Sequence, residues 1–502
     1  MNRLLRSGMA VFTAAFLCAG TAAATGANFP STPPAPGPAP TVSLPTPSSQ
    51  TLANGLRVIS IHRSGLPLVT AELLLRRGIA MDPPGKAGLA QLTTTLLTRG
   101  AAGRSAPQIA AAAEALGGSL DTEADWDHSG VGITVTSPKL PAALTLLAQV
   151  ARQPDFAPAE LERARGQALD DLHLMLSQPT QLALLAVGRS VFGDGAYGHA
   201  YAGTPASLKA IARDDVQRMH AAVYRPDDAV LILTGDITPA QARTLARQSF
   251  GDWARPNAPL AAAPAGMGKS VLPAVLVIDQ PGAGQAGVVA AHAAPPRDDA
   301  DYYTGAVANA VLGGSYSARL NEEIRIKRGL SYGAFSAIEG RRGSGLWAGQ
   351  AQTKNPSAAQ VVDLMLGEFA RLGQAPVPAA ELAARKATLI GSYGRSLETT
   401  AGLANQLEAL ATYDVDLAEI GRYIDRVQAV TPAQVQAYAR AHLGAASSHV
   451  VAVGDAALFG ATLRKVHPQA ARLEAARLDL DRPTLGFDAD KGDAGKSKAK
   501  AD

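Results

Sequence analysis

Cysteine is nearly absent from this sequence. The only one in 502 residues is Cys18, inside an amino-terminal stretch shaped like a secretory signal. A chain processed there carries neither disulfides nor a thiol nucleophile. Charge of one sign is also lacking. A net charge of +3, with no basic stripe interleaved with aromatics, removes the usual footprint of nucleic-acid binding. Long apolar runs are missing too. Met9–Ala19 is too short for a comfortable membrane span. Arg3 and Arg6 precede it and Ala22-Ala23-Ala24 follows it, so Met1–Ala24 reads as a signal peptide cleaved near Ala24. A lipoprotein anchor needs a small residue before the cysteine, and Leu17 stands there. These features predict an exported, periplasmic protein without stable membrane insertion.

What is present is enough apolar content, 47% against 18% charged, for a large folded core. The length allows roughly two to four domains. Residues 25–49 form a Pro-rich leader that cannot build a core. Strands are expected at Gly55–Ile61, Val69–Leu75, Val131–Val135 and Ala229–Thr234, where apolar residues alternate or run continuously. Helical periodicity marks Gly88–Thr98, Ala106–Leu116, Pro141–Val150, Pro158–Leu176 and Pro239–Phe250. Residues 255–268, rich in Pro, Ala and Gly, read as a linker.

After that linker the pattern restarts. Ala274–Ile278 and Gly287–Ala291 repeat the opening strand pair, and Tyr302–Leu312 repeats the helix behind it. Near the end of each half, a helical stretch (Ile211–Tyr224, Val430–Leu443) precedes a strand closing in Gly-Asp, at Gly235-Asp236 and Gly454-Asp455. The expectation is an α/β (α+β) protein. Two homologous mixed domains, 50–254 and 269–482, form a bilobed clamshell with a cleft between them. Residues 483–502 read as a disordered tail.

One stretch carries candidate chemistry, Leu320–Tyr332. It begins as a helix with Leu320, Ile324 and Lys327 on one face, stops at Gly329, and continues into a strand at Leu330–Ser336. Arg325 on the helix and Tyr332 at the strand start can fold their polar tips together, as a clamp for a peptide carbonyl or the oxyanion it becomes.

Taken in order, several blocks make the chain resemble the insulinase/pitrilysin family of zinc metallopeptidases, in its small bacterial two-domain branch, from about Thr51 to Val466. They include Pro84-Gly-Lys-Ala-Gly-Leu-Ala, Glu160-Leu-Glu-Arg-Ala-Arg-Gly, Tyr224-Arg-Pro-Asp-Asp-Ala-Val-Leu, Leu312-Gly-Gly-Ser-Tyr-Ser-Ala-Arg-Leu and Arg325–Tyr332. The resemblance implies the fold of the mitochondrial-processing-peptidase type. It also implies an inverted zinc motif, H-x-x-E-H, on the helix after the Gly-Leu-Ala block. Here those positions read Gln91, Thr94 and Thr95, and the position of the third ligand falls at Asp171. Two imidazoles and the glutamate base are replaced by an amide and two hydroxyls, which are poor zinc donors. The nine histidines show no close metal spacing and read as surface or internally satisfied residues. His173 lies two positions from Asp171, which on a helix places it on another side.

The family's second feature, an arginine and a tyrosine spaced R-x6-Y, is matched by Arg325 and Tyr332. In the family these hold the substrate backbone and stabilise the tetrahedral intermediate, and some members divide the two features between two chains. The resemblance thus implies a non-catalytic subunit that is inactive alone and has no metal of its own. It would lend Arg325 and Tyr332 to a homologous H-x-x-E-H partner that carries the zinc and cleaves peptides, in a heterodimer or larger assembly. The alternative is a periplasmic peptide-binding or chaperone-like protein without proteolysis.

Overall fold

A computed structural model describes residues 44–444 and 447–487. The signal peptide, most of the leader and residues 488–502 lie outside them. Two six-stranded sheets organise the chain. The first is built from β1 (Ser48–Thr51), β2 (Arg57–His62), β3 (Leu68–Leu75), β6 (Asp121–Ala124), β7 (Ser129–Thr136) and β8 (Ala229–Gly235). A small hairpin, β4 (Gly100–Ala101) and β5 (Arg104–Ser105), stands apart. The second sheet contains β9 (Val275–Asp279), β10 (Ala286–Ala294), β11 (Ser331–Glu339), β12 (Gly345–Thr353), β13 (His449–Gly454) and β14 (Ala471–Glu474).

The duplication read from the sequence is present in the strand order. The first sheet runs β1-β2-β8-β3-β7-β6, and the second, from its far edge, β14-β9-β13-β10-β12-β11. In both, the second and third strands are parallel and the next three pairings antiparallel. Only the outermost strands differ: β1 pairs antiparallel with β2, and β14 parallel with β9. Central strands are buried on both faces, which is why β8 (AVLILTG) and β10 (AGVVAAHAA) read as continuous apolar runs.

The halves exchange helices. Leu89–Leu96 and Leu140–Arg152 cover one face of the first sheet, with Leu92, Leu144 and Leu147 against Leu73 and Val131. Its other face is covered by Thr400–Thr412 of the second half, whose Leu403, Leu407 and Leu410 meet Ile59, Leu74 and Ile232. Reciprocally, Pro179–Phe192 of the first half lies on β10 and β13, sharing a core with Val289, Ala291, Val451 and Val453. Each helix is fastened where it begins. Thr400 Oγ1 accepts from Thr70 Oγ1 at 2.8 Å, and Thr234 Oγ1 donates to Thr400 O at 2.7 Å. Thr180 abuts Gly287, where even a Cβ would lie 2.4 Å from its backbone nitrogen.

Buried polar contacts stitch the same junction. Asp228 accepts from Arg77 Nε at 2.7 Å and from Arg76 Nη2 at 3.1 Å, and Arg76 reaches on to pair with Asp414 of the second half. Tyr197 donates to Asp127 at 2.7 Å, and the Arg342 backbone N–H donates to the same carboxylate at 2.8 Å.

Three expected boundaries change. The end of the leader is structured, because Ser48–Thr51 pairs with β2. The start of the tail packs, with Leu485 1% exposed in the core. Residues 255–268 form no helix or strand but are held down: Ala196 and Tyr197 donate backbone hydrogen bonds to Ala265 and Gly266 at 2.9 and 3.1 Å.

Candidate functional site

The segment before the Leu89–Leu96 helix sets that helix's position. Buried Asp82 accepts from the backbone of Gly88 at 2.7 Å and of Ala90 at 2.8 Å, capping the exposed N–H groups of the first turn. Burial raises its carboxyl above the usual range, with His199 and the two backbone donors pulling the other way. Gly88 takes φ +91°, and a Cβ there would approach Leu208 Cδ2 at 2.8 Å, so glycine is required at this turn. Lys86 ties the loop down through Asp215 at 2.7 Å.

That helix and Pro158–Ser177 wall a cavity of about 860 Å³, the size of a small-molecule or peptide site. Gln91, Thr94, Thr95 and Asp171 all line it, so the structure brings together the four positions singled out in the sequence. The side chains of Gln91 and Thr95 make no hydrogen bond with another described residue and are free to bind. Thr94 is not free: its hydroxyl is 3.0 Å from Ala90 O and 3.1 Å from Tyr224 OH. Burial pushes the Tyr224 phenol well above its ordinary value. Asp171 is exposed and accepts from Gln167 at 2.8 Å. His173 does not line the cavity. The edge strand β6 forms the rim, through Thr122, Glu123 and Ala124.

No histidine stands among the residues lining this cavity, and the one motif position able to supply a base, Thr94, is a hydroxyl bound to its own helix. The donor set does not fit the zinc that the resemblance implies at these positions. What remains can hydrogen-bond a peptide.

Arg325 and Tyr332 lie elsewhere, and neither lines that cavity. The expected helix is one α-helical turn, Arg319–Asn321, followed by a π-helical turn, Glu322–Ile326. Gly329 ends it as expected, at φ +61°, with its N–H bonded to Arg325 O at 2.8 Å and that of Leu330 to Ile324 O at 2.9 Å. Leu320 and Ile324 are fully buried, whereas Lys327 faces solvent and pairs with Glu323 at 2.6 Å, holding that carboxyl below the usual range. Buried Asn321 pins the helix to the strand, its Oδ1 accepting from Ala334 N at 3.1 Å.

Two expectations fail here. The strand does not enter the core: β11 is the edge of the second sheet, and its side chains alternate between exposed and covered. Arg325 and Tyr332 also do not clasp each other. A register shift between Ser331 and Ala334 accompanies an outward Tyr332, 90% exposed, while the Arg325 guanidinium lies 4.7 Å from the Tyr316 ring. Tyr316, Ile326 and Phe335 are exposed as well, so the pair belongs to an aromatic, uncovered surface.

Comparison with known proteins fits this architecture. Residues 57–204 match the model of the insulinase family (peptidase family M16), and residues 210–389 that of the peptidase M16 inactive domain. An uncharacterized zinc protease of Streptomyces coelicolor is 24% identical over 403 residues, covering 78% of this chain and 86% of that protein. The beta subunit of the rat mitochondrial-processing peptidase is 26% identical over 216 residues, 43% of this chain and 44% of that one. Among solved structures, a peptidase M16 inactive domain from Pseudomonas fluorescens superposes with a TM-score of 0.76 at 27% identity, covering 81% of this chain and 98% of that chain. A protease from Helicobacter pylori gives a TM-score of 0.78 at 18% identity, over 82% of this chain and all of the other. With both halves matched, and the duplicated sheets in the same bilobed arrangement, the chain belongs to the insulinase (M16) peptidase family.

Proposed function

We propose that this chain is the non-catalytic subunit of a two-chain M16 peptidase, exported to the periplasm. Its partner is a homologous chain carrying H-x-x-E-H and the zinc. The observation that carries the reading is the division of the two features. Gln91, Thr95 and Asp171 face a cavity with no histidine among its described lining residues, while Tyr332 stands 90% exposed on a sheet edge with no other described residue covering it. A phenol placed there is available to another chain. Arg325 and Tyr332 then donate to the peptide carbonyl at the partner's site and to the oxyanion it becomes. The cavity beside β6 holds part of the peptide.

A second reading, peptide binding without cleavage, is favoured by the size of that cavity and by the open edge strand beside it. Co-expression with the H-x-x-E-H homologue from the same genome, followed by a peptidase assay, separates the two. Cleavage by the pair, with neither chain active alone, is the expected result. Absence of a complex, or activity of the partner unchanged by this chain, refutes the subunit reading. Amino-terminal sequencing of the periplasmic fraction checks export, with a start near Thr25 expected.

A further inference from the structure

One group of charges begins at the cavity rim and has no role in the reading above. Glu123 on β6 and His128 just before β7 flank a hairpin, and Glu408 reaches them from the exchanged Thr400–Thr412 helix. His128 Nε2 lies 2.9 Å from Glu408 Oε1 and 3.4 Å from Glu123 Oε1. The three donor atoms all fall within 4.8 Å of one another, and no other such group occurs among the described residues. Glu72 on β3 adds a third carboxylate on the same face of the sheet.

Two further observations separate this group from an ordinary ion-paired histidine. Glu408 is only 6% exposed, with its Oε1 2.9 Å from His128 Nε2, and His128 Nδ1 has no hydrogen-bond partner. Next, β7 makes room. Gly130 and Gly132 fall on one face of that strand, with Gly132 opposite Glu72. A Cβ at Gly130 would lie 3.0 Å from Glu72 Oε1 and 3.6 Å from Glu123 Cγ, and one at Gly132 3.2 Å from Glu72 Oε2. Ordinary strand residues would fill the space the carboxylates occupy. Burial and the neighbouring carboxylates push the Glu72 carboxyl up to about 8, so its own proton relieves part of the charge crowded here.

An imidazole nitrogen and two carboxylate oxygens form a donor set suited to zinc-class cations, at ligand distances of about 2.0–2.2 Å. Ligands around such an ion sit roughly 3.3 Å apart, close to the separations found here. The Glu123 side chain is 56% exposed, leaving an entry path and room for water as a further ligand. We propose that His128, Glu123 and Glu408 bind one divalent transition-metal cation, joining the β6–β7 hairpin of the first half to the exchanged helix of the second. His128 binds as the neutral imidazole, its proton leaving to solvent. The site lies on the sheet face opposite the Leu89–Leu96 helix, so it does not restore the family's zinc position, and no water activation is assigned to it. It departs from the expectation of a chain without any metal. Its effect is to fix β6, the rim of the peptide-sized cavity.

The test uses the full chain, treated with chelator, desalted, incubated with Zn²⁺ and desalted again. The expected results are one zinc retained per chain, a Tm higher than that of the stripped protein, and a visible absorption band when Co²⁺ replaces Zn²⁺. Glu123→Gln, at a half-exposed position that does not threaten folding, weakens binding at least tenfold, and His128→Ala abolishes the Co²⁺ band. Gln91→Ala and Asp171→Asn leave both unchanged. Three results overturn the proposal: no zinc retained by the wild type, retention that survives Glu123→Gln and His128→Ala together, or loss of the metal in Gln91→Ala or Asp171→Asn.

Discussion

Replacing Gly287 by alanine tests the helix exchange directly. The added Cβ would lie 2.4 Å from Thr180 N, 2.5 Å from Thr180 Cα and 2.6 Å from Pro179 C. All three are backbone atoms, so no side-chain rotation relieves the clash. Moving from 2.4 Å to ordinary contact at 3.4 Å requires the start of Pro179–Phe192 to retreat by 1.0 Å. That retreat loosens Leu182, Ala183 and Ala186 from the sheet face that carries Val289, Ala291, Val451 and Val453. Overpacking of this kind costs about 3 kcal/mol. For the 442 described residues (401 in 44–444 and 41 in 447–487), at about 2.1 cal/mol/K of unfolding entropy per residue, Tm falls by roughly 3 °C. Gly284→Ala, with nothing within 4 Å of its Cβ, is the control and should change stability by less than about 0.5 kcal/mol. Urea unfolding followed by circular dichroism and by tryptophan fluorescence measures both. Trp126 and Trp253 report on the first half and Trp347 on the second, and the two signals should shift together. A Gly287→Ala protein as stable as Gly284→Ala would show that the helix is free to lift, and the exchange would then not hold the halves together.

In the reconstituted pair, Tyr332→Phe removes one donor to the oxyanion and should lower turnover by about 10²–10³ while leaving the zinc content of the complex unchanged; full activity would mean the tyrosine is structural. Arg325→Ala should cost at least as much and raise KM. Restoring Gln91→His, Thr94→Glu and Thr95→His should not create a peptidase comparable to an intact family member. Asp171 is one methylene short and bonded to Gln167, and Thr94 sits where a glutamate must displace the contact with Tyr224; comparable turnover would refute this. His292, fully buried in β10 against Phe369, is pushed down to about 4 by burial, with a further contribution from His449. Its folded-state value is thus below its unfolded one, so the stability present above about pH 6.5 declines as pH falls towards 4, by up to roughly 3 kcal/mol. Urea midpoints at pH 7 and pH 5 should show this slope in the wild type and a smaller one in His292→Leu.

Much of the architecture was legible because each signal was local. The Ile211–Tyr224 and Val430–Leu443 stretches foretold the matched sheets, since a helix feeding a central parallel strand leaves the same imprint twice. The stop at Gly329 needed only a left-handed residue after a cationic turn. The clamp between Arg325 and Tyr332 failed because spacing fixes neither which face of a strand a residue takes nor whether the strand lies at an edge; a register shift accompanies the first, and the strand order of the sheet sets the second. Leu403, Leu407 and Leu410 announce a buried helix face but not whose sheet buries it. His128 and Glu408 are remote in sequence, so no spacing rule joins them; the Gly130-Val-Gly132 alternation was the only local sign that something approaches β7 on that face.

The reciprocal helices also bear on how a duplicated chain of this kind can exist. A single half taken alone would have one sheet face bare and one apolar helix without a seat. Two such halves would satisfy each other only by a symmetric, two-fold association in which each lends its helix to the other. The present chain is that dimer written as one polypeptide, with residues 255–268 as the join. Cutting the join should leave an intact noncovalent pair, and neither half is a unit that can be subtracted.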